Sequence, residues 1–237
     1  MKLATALITA TSMAATIALA TPASAYDDKA YSHAAGHMIA RSDIPAELGD
    51  FKKQMSFNAF PPTGTAYLCT IDGVGSEPST QFTYPSGKLQ FSANYGTKEE
   101  NGPSVSVVVI QYRDRQRAIA AFDVAKKQIV NCTGTVKNSW TNTDSGTVST
   151  YTTETTNGVV PAVTTTGVES LFIDVNSVSA ATGEEVPFQS DQYAVLSLLD
   201  DVVITTTYYM NNANNISTKK RKAVNQVAFN AETVWKG

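Results

Sequence analysis

The sequence predicts an α+β domain, a twisted and mainly antiparallel β-sheet with packed helices. Three observations lead there. Short runs rich in aromatic and β-branched residues recur along the chain, parted by Gly, Pro, Ser and Asp. Two stretches, Arg113–Val130 and Ser217–Trp235, instead repeat their apolar residues at three- and four-residue steps. The resulting order is helix, strands, helix, strands, helix, which reads as helices laid on an antiparallel sheet. The length of 237 residues suffices for a single well-buried core, and no internal repeat is visible.

The elements follow in chain order. Residues 1–25 carry Lys2, a weakly apolar stretch from Leu3 to Ala20, and the small-residue ending Ala23-Ser24-Ala25, the layout of a secretory signal peptide. Cleavage after Ala25 leaves a product beginning at Tyr26. Residues 26–41 are Ala-rich and are expected to form a flexible N-terminal segment or a loose helix, with a single domain over 42–237. Ser42-Asp43-Ile44-Pro45 looks like a helix start, so a short helix is expected over Pro45–Gln54 and irregular chain over Phe57–Thr65. Ala66–Ile71, Thr80–Tyr84 and Lys88–Tyr95 are strand candidates, the last two joined by Pro85-Ser86-Gly87. Ser104–Tyr112 is apolar at consecutive positions in its centre, which predicts an interior strand covered on both faces.

Arg113–Val130 places Ala118, Ile119, Phe122, Ala125 and Ile129 on one helical stripe, with Asp114 as N-cap. The polar, Thr-rich stretch Thr133–Ala181 predicts meandering strands with one wet face, since Thr favours strands and the scarcity of Pro argues against a mucin-like stalk. Trp140, Tyr151 and Ser170–Val175 are expected to supply its buried side chains. Gln192–Leu199 and Val202–Met210 flank Asp200-Asp201, a hairpin signal. Ser217–Trp235 aligns Ala223, Val224, Val227, Ala228, Ala231 and Val234 for packing on the sheet.

Composition narrows the function. Charged residues are 16% and hydrophobic ones 42%, too apolar and too weakly charged for a disordered chain. No apolar run of about 18 residues follows the N-terminal segment, so stable membrane insertion is not expected. A formal net charge of −3 argues against a nucleic-acid partner bound by phosphate neutralisation. Export makes Cys69 and Cys132 a candidate disulfide that closes a 64-residue loop, with two free thiols as the alternative.

Catalytic constellations are sparse. The chain has two His, His33 and His37, four apart but without the Glu of a zinc-protease helix between them. No Ser-His-Asp or Cys-His mechanism, metal or cofactor is therefore expected. Ser217-Thr218-Lys219-Lys220 matches Ser-x-x-Lys, yet too little chain follows for the companion motifs. Asp72-Gly73-Val74-Gly75-Ser76 lacks the strand–turn–helix setting of a phosphate loop and reads as a turn. The acidic pairs Asp27-Asp28, Glu99-Glu100, Glu184-Glu185 and Asp200-Asp201 fall in expected turns, where solvated charge competes with a two-carboxylate hydrolase.

One charge run stands out. Lys219, Lys220, Arg221 and Lys222 crowd a helix start, where the macrodipole favours anions. Either the run is a solvated first turn with a stem lying on the apolar stripe, or it contacts an anionic envelope polymer or headgroup.

Taken together these residues resemble the PknH-like extracellular sensor domain family, known from mycobacterial receptor Ser/Thr kinases and from secreted actinobacterial relatives. The features that carry the resemblance run in order. They are Ser42-Asp43-Ile44-Pro45-Ala46-Glu47-Leu48, the Val-rich strand Val105–Tyr112 leading into helix Arg113–Val130 and Asn131-Cys132, then Trp140, Val202-Val203-Ile204, and the closing Ala223-Val224-Asn225-Gln226-Val227-Ala228. The resemblance implies a twisted antiparallel sheet with helices and an open cleft for a ligand. It also implies two disulfides, of which only Cys69–Cys132 has candidates here; no pair occurs around Gln192 and Thr207.

The expected function is that of a secreted, non-catalytic, sensor-like domain. Its partner would be a small molecule or a component of the cell envelope, bound in a pocket with a few polar anchors. Trp140, Tyr208 and Tyr209 are the candidate lining aromatics, with burial in the core as the competing role of each. A secreted carboxylate-dependent hydrolase of cell-wall polymers and a structural surface protein are the alternatives.

Overall fold

A strand points successive side chains to opposite faces, so a buried set of alternate residues marks one covered face. The computed structural model of the chain describes residues 35–51, 53–60, 89–97, 102–131, 134–141, 148–159, 168–181, 188–211 and 216–236. Among the described residues eight strands form one sheet. They are β1 (Lys53–Phe60), β2 (Leu89–Gly96), β3 (Ser104–Gln111), β4 (Gly134–Thr141), β5 (Val148–Val159), β6 (Glu169–Ala181), β7 (Phe188–Leu199) and β8 (Val202–Asn211). Helix α1 is Arg115–Asn131 and helix α2 is Thr218–Lys236. The order across the sheet is β1-β2-β3-β8-β7-β6-β5-β4, with every neighbouring pair antiparallel. Two meanders, β1–β3 and β4–β8, thus meet at the β3–β8 seam, and α1 carries the chain from that seam to the far edge.

The two helices cover opposite faces. In β3 the inward set is Val105, Val107 and Val109, each at most 2% exposed, and in β8 it is Val202, Ile204, Thr206 and Tyr208. Against these pack Ala223, Val224, Val227, Ala228 and Ala231 of α2. On the other face Ala118, Ala121, Phe122, Ala125 and Ile129 of α1 pack on Leu171, Ile173, Ala194, Leu196 and Val203. A fully buried Val, Leu, Ile or Phe contributes roughly 1.5–3 kcal/mol, so Val224, Val227, Phe122 and Ile129 with their sheet partners carry most of the docking of the two helices, and the alanines let them approach closely. Asp114 caps α1 as expected, its carboxylate accepting from the Arg117 backbone N–H at 2.9 Å. Asp200 turns the β7–β8 hairpin with φ 49°, a left-handed conformation that Asp tolerates. The hairpin is tied to the end of β3, because Asp201 accepts from the Tyr112 N–H at 2.8 Å and from the Gln111 amide at 3.1 Å.

Three expectations need correction. Pro45–Gln54 is not a helix. Pro45 is extended (φ −58°, ψ 137°), only one 3-10 turn forms at Ala46–Leu48, and Gly49 with φ 146° ends it. A Cβ at Gly49 would also meet the Thr97 methyl at 3.3 Å. Residues 57–60 are not irregular but belong to β1, paired with β2 through Phe57–Ala93 and Ala59–Phe91. Finally, β3 is interior in the sheet order, yet only its Val105/Val107/Val109 face is deeply buried, so its apolar run did not require two covered faces.

The segment before β1 is a strap across the α2 side. Ile39, Ile44, Leu48 and Phe51 are buried, and three side chains from elsewhere hold its carbonyls. Tyr95 donates to Ile39 O at 2.6 Å, Asn230 to Asp43 O at 2.9 Å, and Tyr208 to Leu48 O at 2.9 Å. The packed body therefore includes Ile39 and His37, upstream of the boundary expected at residue 42; the His37 ring meets Trp235 edge-on at 5.7 Å.

Candidate ligand-binding site

The start of α2 brings polar groups onto the sheet. Ser217 accepts the Lys220 N–H at 3.3 Å, which fixes the first turn, and the apolar stripe of Ala223, Val224 and Val227 then sets the helix rotation. That rotation leaves Arg221 and Asn225, one turn apart, on the flank facing β6 and β7. Register supplies the other half. Asp174 lies opposite Tyr193, and Asn176 lies opposite Asp191, so four side chains form a block on the α2 face of the sheet.

The block is closely bonded. The Arg221 guanidinium pairs with the Asp174 carboxylate at 2.5 Å, and Tyr193 Oη donates to Asn225 Oδ1 at 3.1 Å. The Asn176 amide donates to Asp191 Oδ1, and Phe172 stacks on Tyr193 at 5.6 Å to form an apolar margin. Asp191 is 2% exposed, whereas the side chains of Asp174 and Arg221 are 14% and 37% exposed. The cluster thus runs from the interior to the surface, with the guanidinium at its mouth.

Burial dominates its electrostatics. It raises the Asp174 pKa; the Arg221 charge opposes that rise and the Asp191 charge adds to it. The Tyr193 phenol is pushed up to about 12, mainly by burial, so it remains a neutral hydrogen-bond donor at ordinary pH. Arg221 Nε is buried and has no hydrogen-bond partner among the described residues. A planar fork with donors to spare, beside carboxylate and amide acceptors, is equipped to orient a polar ligand. Among the described residues no group of three or more His, Cys, Asp or Glu is placed to hold a metal.

The expected site residues are scattered. Tyr208 is 0% exposed, and its phenol, raised to about 12 by burial, bonds the strap; it offers a ligand no surface. Tyr209 points to the opposite face and is half-buried. Trp140 lies in β4 at the far end of the sheet, opposite Ser149. The basic run divides as well. Lys219 is 77% exposed near Glu47 at 3.7 Å, and Lys220 lies over the Tyr208 ring at 5.6 Å with its ammonium 3.2 Å from Met210 Sδ. Arg221 enters the polar block, and Lys222 is exposed.

Cys69 and Cys132 lie outside the described residues, as do His33, Asp72–Ser76 and the pairs Asp27-Asp28, Glu99-Glu100 and Glu184-Glu185. Asp174, Asn176, Asp191, Tyr193 and Asn225 were not singled out from the sequence. For the four strand residues the signal is a polar group at alternate positions on a face with apolar neighbours, and for Asn225 a polar position beside the apolar stripe of α2; both show only once the faces are known.

No family profile and no curated protein matches the sequence. The crystal structure of the extracellular domain of PknH from Mycobacterium tuberculosis superposes with a TM-score of 0.51, over 86% of this chain and 95% of that one. The fold is that of the PknH extracellular domain. Identity to PknH over this match is 13%, so the likeness concerns the architecture. It agrees with the resemblance drawn from the Val105–Cys132 and Val202–Ala228 motifs. Among the described residues no helix is long and apolar enough to cross a membrane.

Proposed function

We infer that this chain is an exported, non-catalytic ligand-binding domain of the PknH sensor type, acting in the cell envelope or the extracellular medium. The observation that carries the reading is the match to an extracellular domain over most of both chains. The signal-peptide layout of residues 1–25 supports the compartment. The Asp174–Arg221–Tyr193–Asn225 block supports binding, because it presents partly exposed donors and acceptors on rigid elements. Its phenol stays neutral, and Asp191 is enclosed, so positioning a ligand suits these groups better than proton transfer.

In this reading the exported product begins at Tyr26 and Cys69 is bonded to Cys132, which fastens the end of α1. The experiment is equilibrium binding of the purified, processed protein to fractionated small molecules, glycans and peptides of the cell envelope, with product analysis of each mixture. Saturable binding without product is expected. Turnover of a fraction would instead make the chain a hydrolase, and self-assembly without binding would make it structural.

A further inference from the structure

The strap of residues 39–51 and the Asp174–Arg221 block grip opposite flanks of α2. Successive helical residues turn by about 100°, so Lys219 and Asn230 share one flank within about 20° and Arg221 and Asn225 another within about 40°. Roughly 180° separates the two flanks. The first pair meets the strap: Lys219 Nζ lies 3.7 Å from Glu47 Oε1, and the Asn230 amide donates to Asp43 O at 2.9 Å. The second pair meets the sheet at Asp174 and Tyr193.

The sheet beneath repeats the division. Tyr208 and Tyr193 are partners across β8 and β7, and both side chains are buried in the layer under α2. One phenol donates to Leu48 O of the strap at 2.9 Å, the other to Asn225 Oδ1 at 3.1 Å. Lys220, next to Arg221, lies over the Tyr208 ring at 5.6 Å. Strap and block therefore meet through two adjacent tyrosines and the first turns of one helix. A roll of α2 by about 20° would carry groups at its surface, about 5–6 Å from the axis, through about 2 Å. Side-chain hydrogen bonds end near 3.5 Å, and the short side chains of Asn225 and Asn230 follow little of such a shift. The contacts on the two flanks are thus made together or lost together.

Of these parts the strap is the one built to leave. Its regular structure is two three-residue 3-10 turns, and strand pairing begins only with β1 at Lys53. Such turns are weak alone, and segments with few backbone bonds open at lower free energy than a sheet. We propose that residues 39–51 are a clasp that sets the roll of α2. Docked, the clasp holds Arg221 and Asn225 against Asp174 and Tyr193; released, it lets the helix roll and the block come apart. Linkage is reciprocal, so whatever fixes the block also fixes the strap. Loss of one strap bond, as in Tyr208→Phe, leaves the docked state dominant and changes the opening without changing affinity. The coupling is a property of the chain alone, whereas its use as a response to ligand rests on the reading of the block as the binding site.

The test is native-state amide exchange of the purified protein without ligand. It is read at Ile44, Leu48 and Gly49, whose N–H groups donate to the Arg41, Pro45 and Ala46 carbonyls at 3.2, 3.1 and 3.2 Å. If opening of the strap takes the block apart, removing a block contact weakens only the docked state, and the strap exchanges faster. If the block survives that opening, the same substitution weakens both states alike and the strap rates stay put. Arg221→Gln and Asn225→Ala, whose bonds run to the sheet, are expected to raise the three rates threefold or more. Ile129→Val, in the core under α1, should lower global stability and leave them unchanged. Asn225→Ala serves if Arg221→Gln does not fold, as judged by circular dichroism. The proposal is overturned if the folded block variants exchange at the parental rates. It is also overturned if Ile129→Val raises the rates as much, because the strap would then open only with the whole domain. A failure of envelope fractions to bind would refute the site and leave the clasp standing.

Discussion

The ion pair that fastens α2 to β6 predicts an asymmetry between its two members. Burial raises the Asp174 pKa even though Arg221 lies beside it, so desolvation outweighs the attraction. Replacing Arg221 by Gln leaves that carboxylate buried and uncompensated, whereas Asp174→Asn removes the carboxylate that pays the desolvation. Breaking a fully buried pair costs about 3–5 kcal/mol and an exposed one about 0–1 kcal/mol. With Arg221 37% exposed and Asp174 14% exposed, solvent screening brings the expected cost of Arg221→Gln to about 1–2 kcal/mol. That corresponds to a fall in Tm of about 3–6 °C for a domain of this size. Asp174→Asn should cost less than half as much.

The pH dependence fixes the sign. A carboxyl whose folded pKa is raised stabilises the fold below its unfolded pKa and loses that contribution as pH rises through the folded value. The Arg221→Gln deficit is therefore full at neutral pH and shrinks as pH falls through the carboxylate range, while the Asp174→Asn deficit runs the other way, largest in acid and shrinking as pH rises through the folded value. Urea unfolding of both variants across that range, followed by circular dichroism, is the assay. Equal costs for the two variants, or an Arg221→Gln deficit that persists in acid, would refute the reasoning.

Tyr95, Tyr112, Tyr193 and Tyr208 are each pushed up to about 12, first of all by burial. Stability should therefore hold up to the ordinary phenol pKa of 10.0 and fall as pH rises from there towards about 12, and ultraviolet titration should show these four phenols ionising together with unfolding. Tyr208→Phe removes the 2.9 Å bond to Leu48 O and should cost about 1 kcal/mol in urea unfolding, with ligand affinity unchanged. Peptide mapping of the purified protein should recover Cys69 and Cys132 in one linked pair. Reduction would then forfeit up to about 4 kcal/mol, the chain-entropy value for a loop of that length.

Much of the scaffold could be read from local pattern because local physics decides it. The stripe of Arg113–Val130 with Asp114 ahead of it, the Asp200-Asp201 hairpin and the closing amphipathic helix each declare themselves within a window of about twenty residues. Pro45 misled by its position. It can open a helix, but here it stays extended, and Gly49 ends the single turn that follows. The apolar run of Ser104–Tyr112 was ambiguous for another reason, since Val and Ile on a half-covered face look the same in sequence as on a buried one. The polar block was out of reach. Asp174 meets Arg221 and Tyr193 meets Asn225 only through strand register and the rotation of α2, and neither is encoded near those residues.

The central claim is that this fold recognises a ligand and does not transform it. Isotope-labelled protein titrated with a cell-envelope extract, with amide shifts mapped and the extract analysed before and after, addresses it most directly. Saturable shifts grouped on Asp174, Tyr193, Arg221 and Asn225 and their neighbours, with the extract chemically unchanged, are expected. Shifts that never saturate, or an extract depleted into new products, would contradict it.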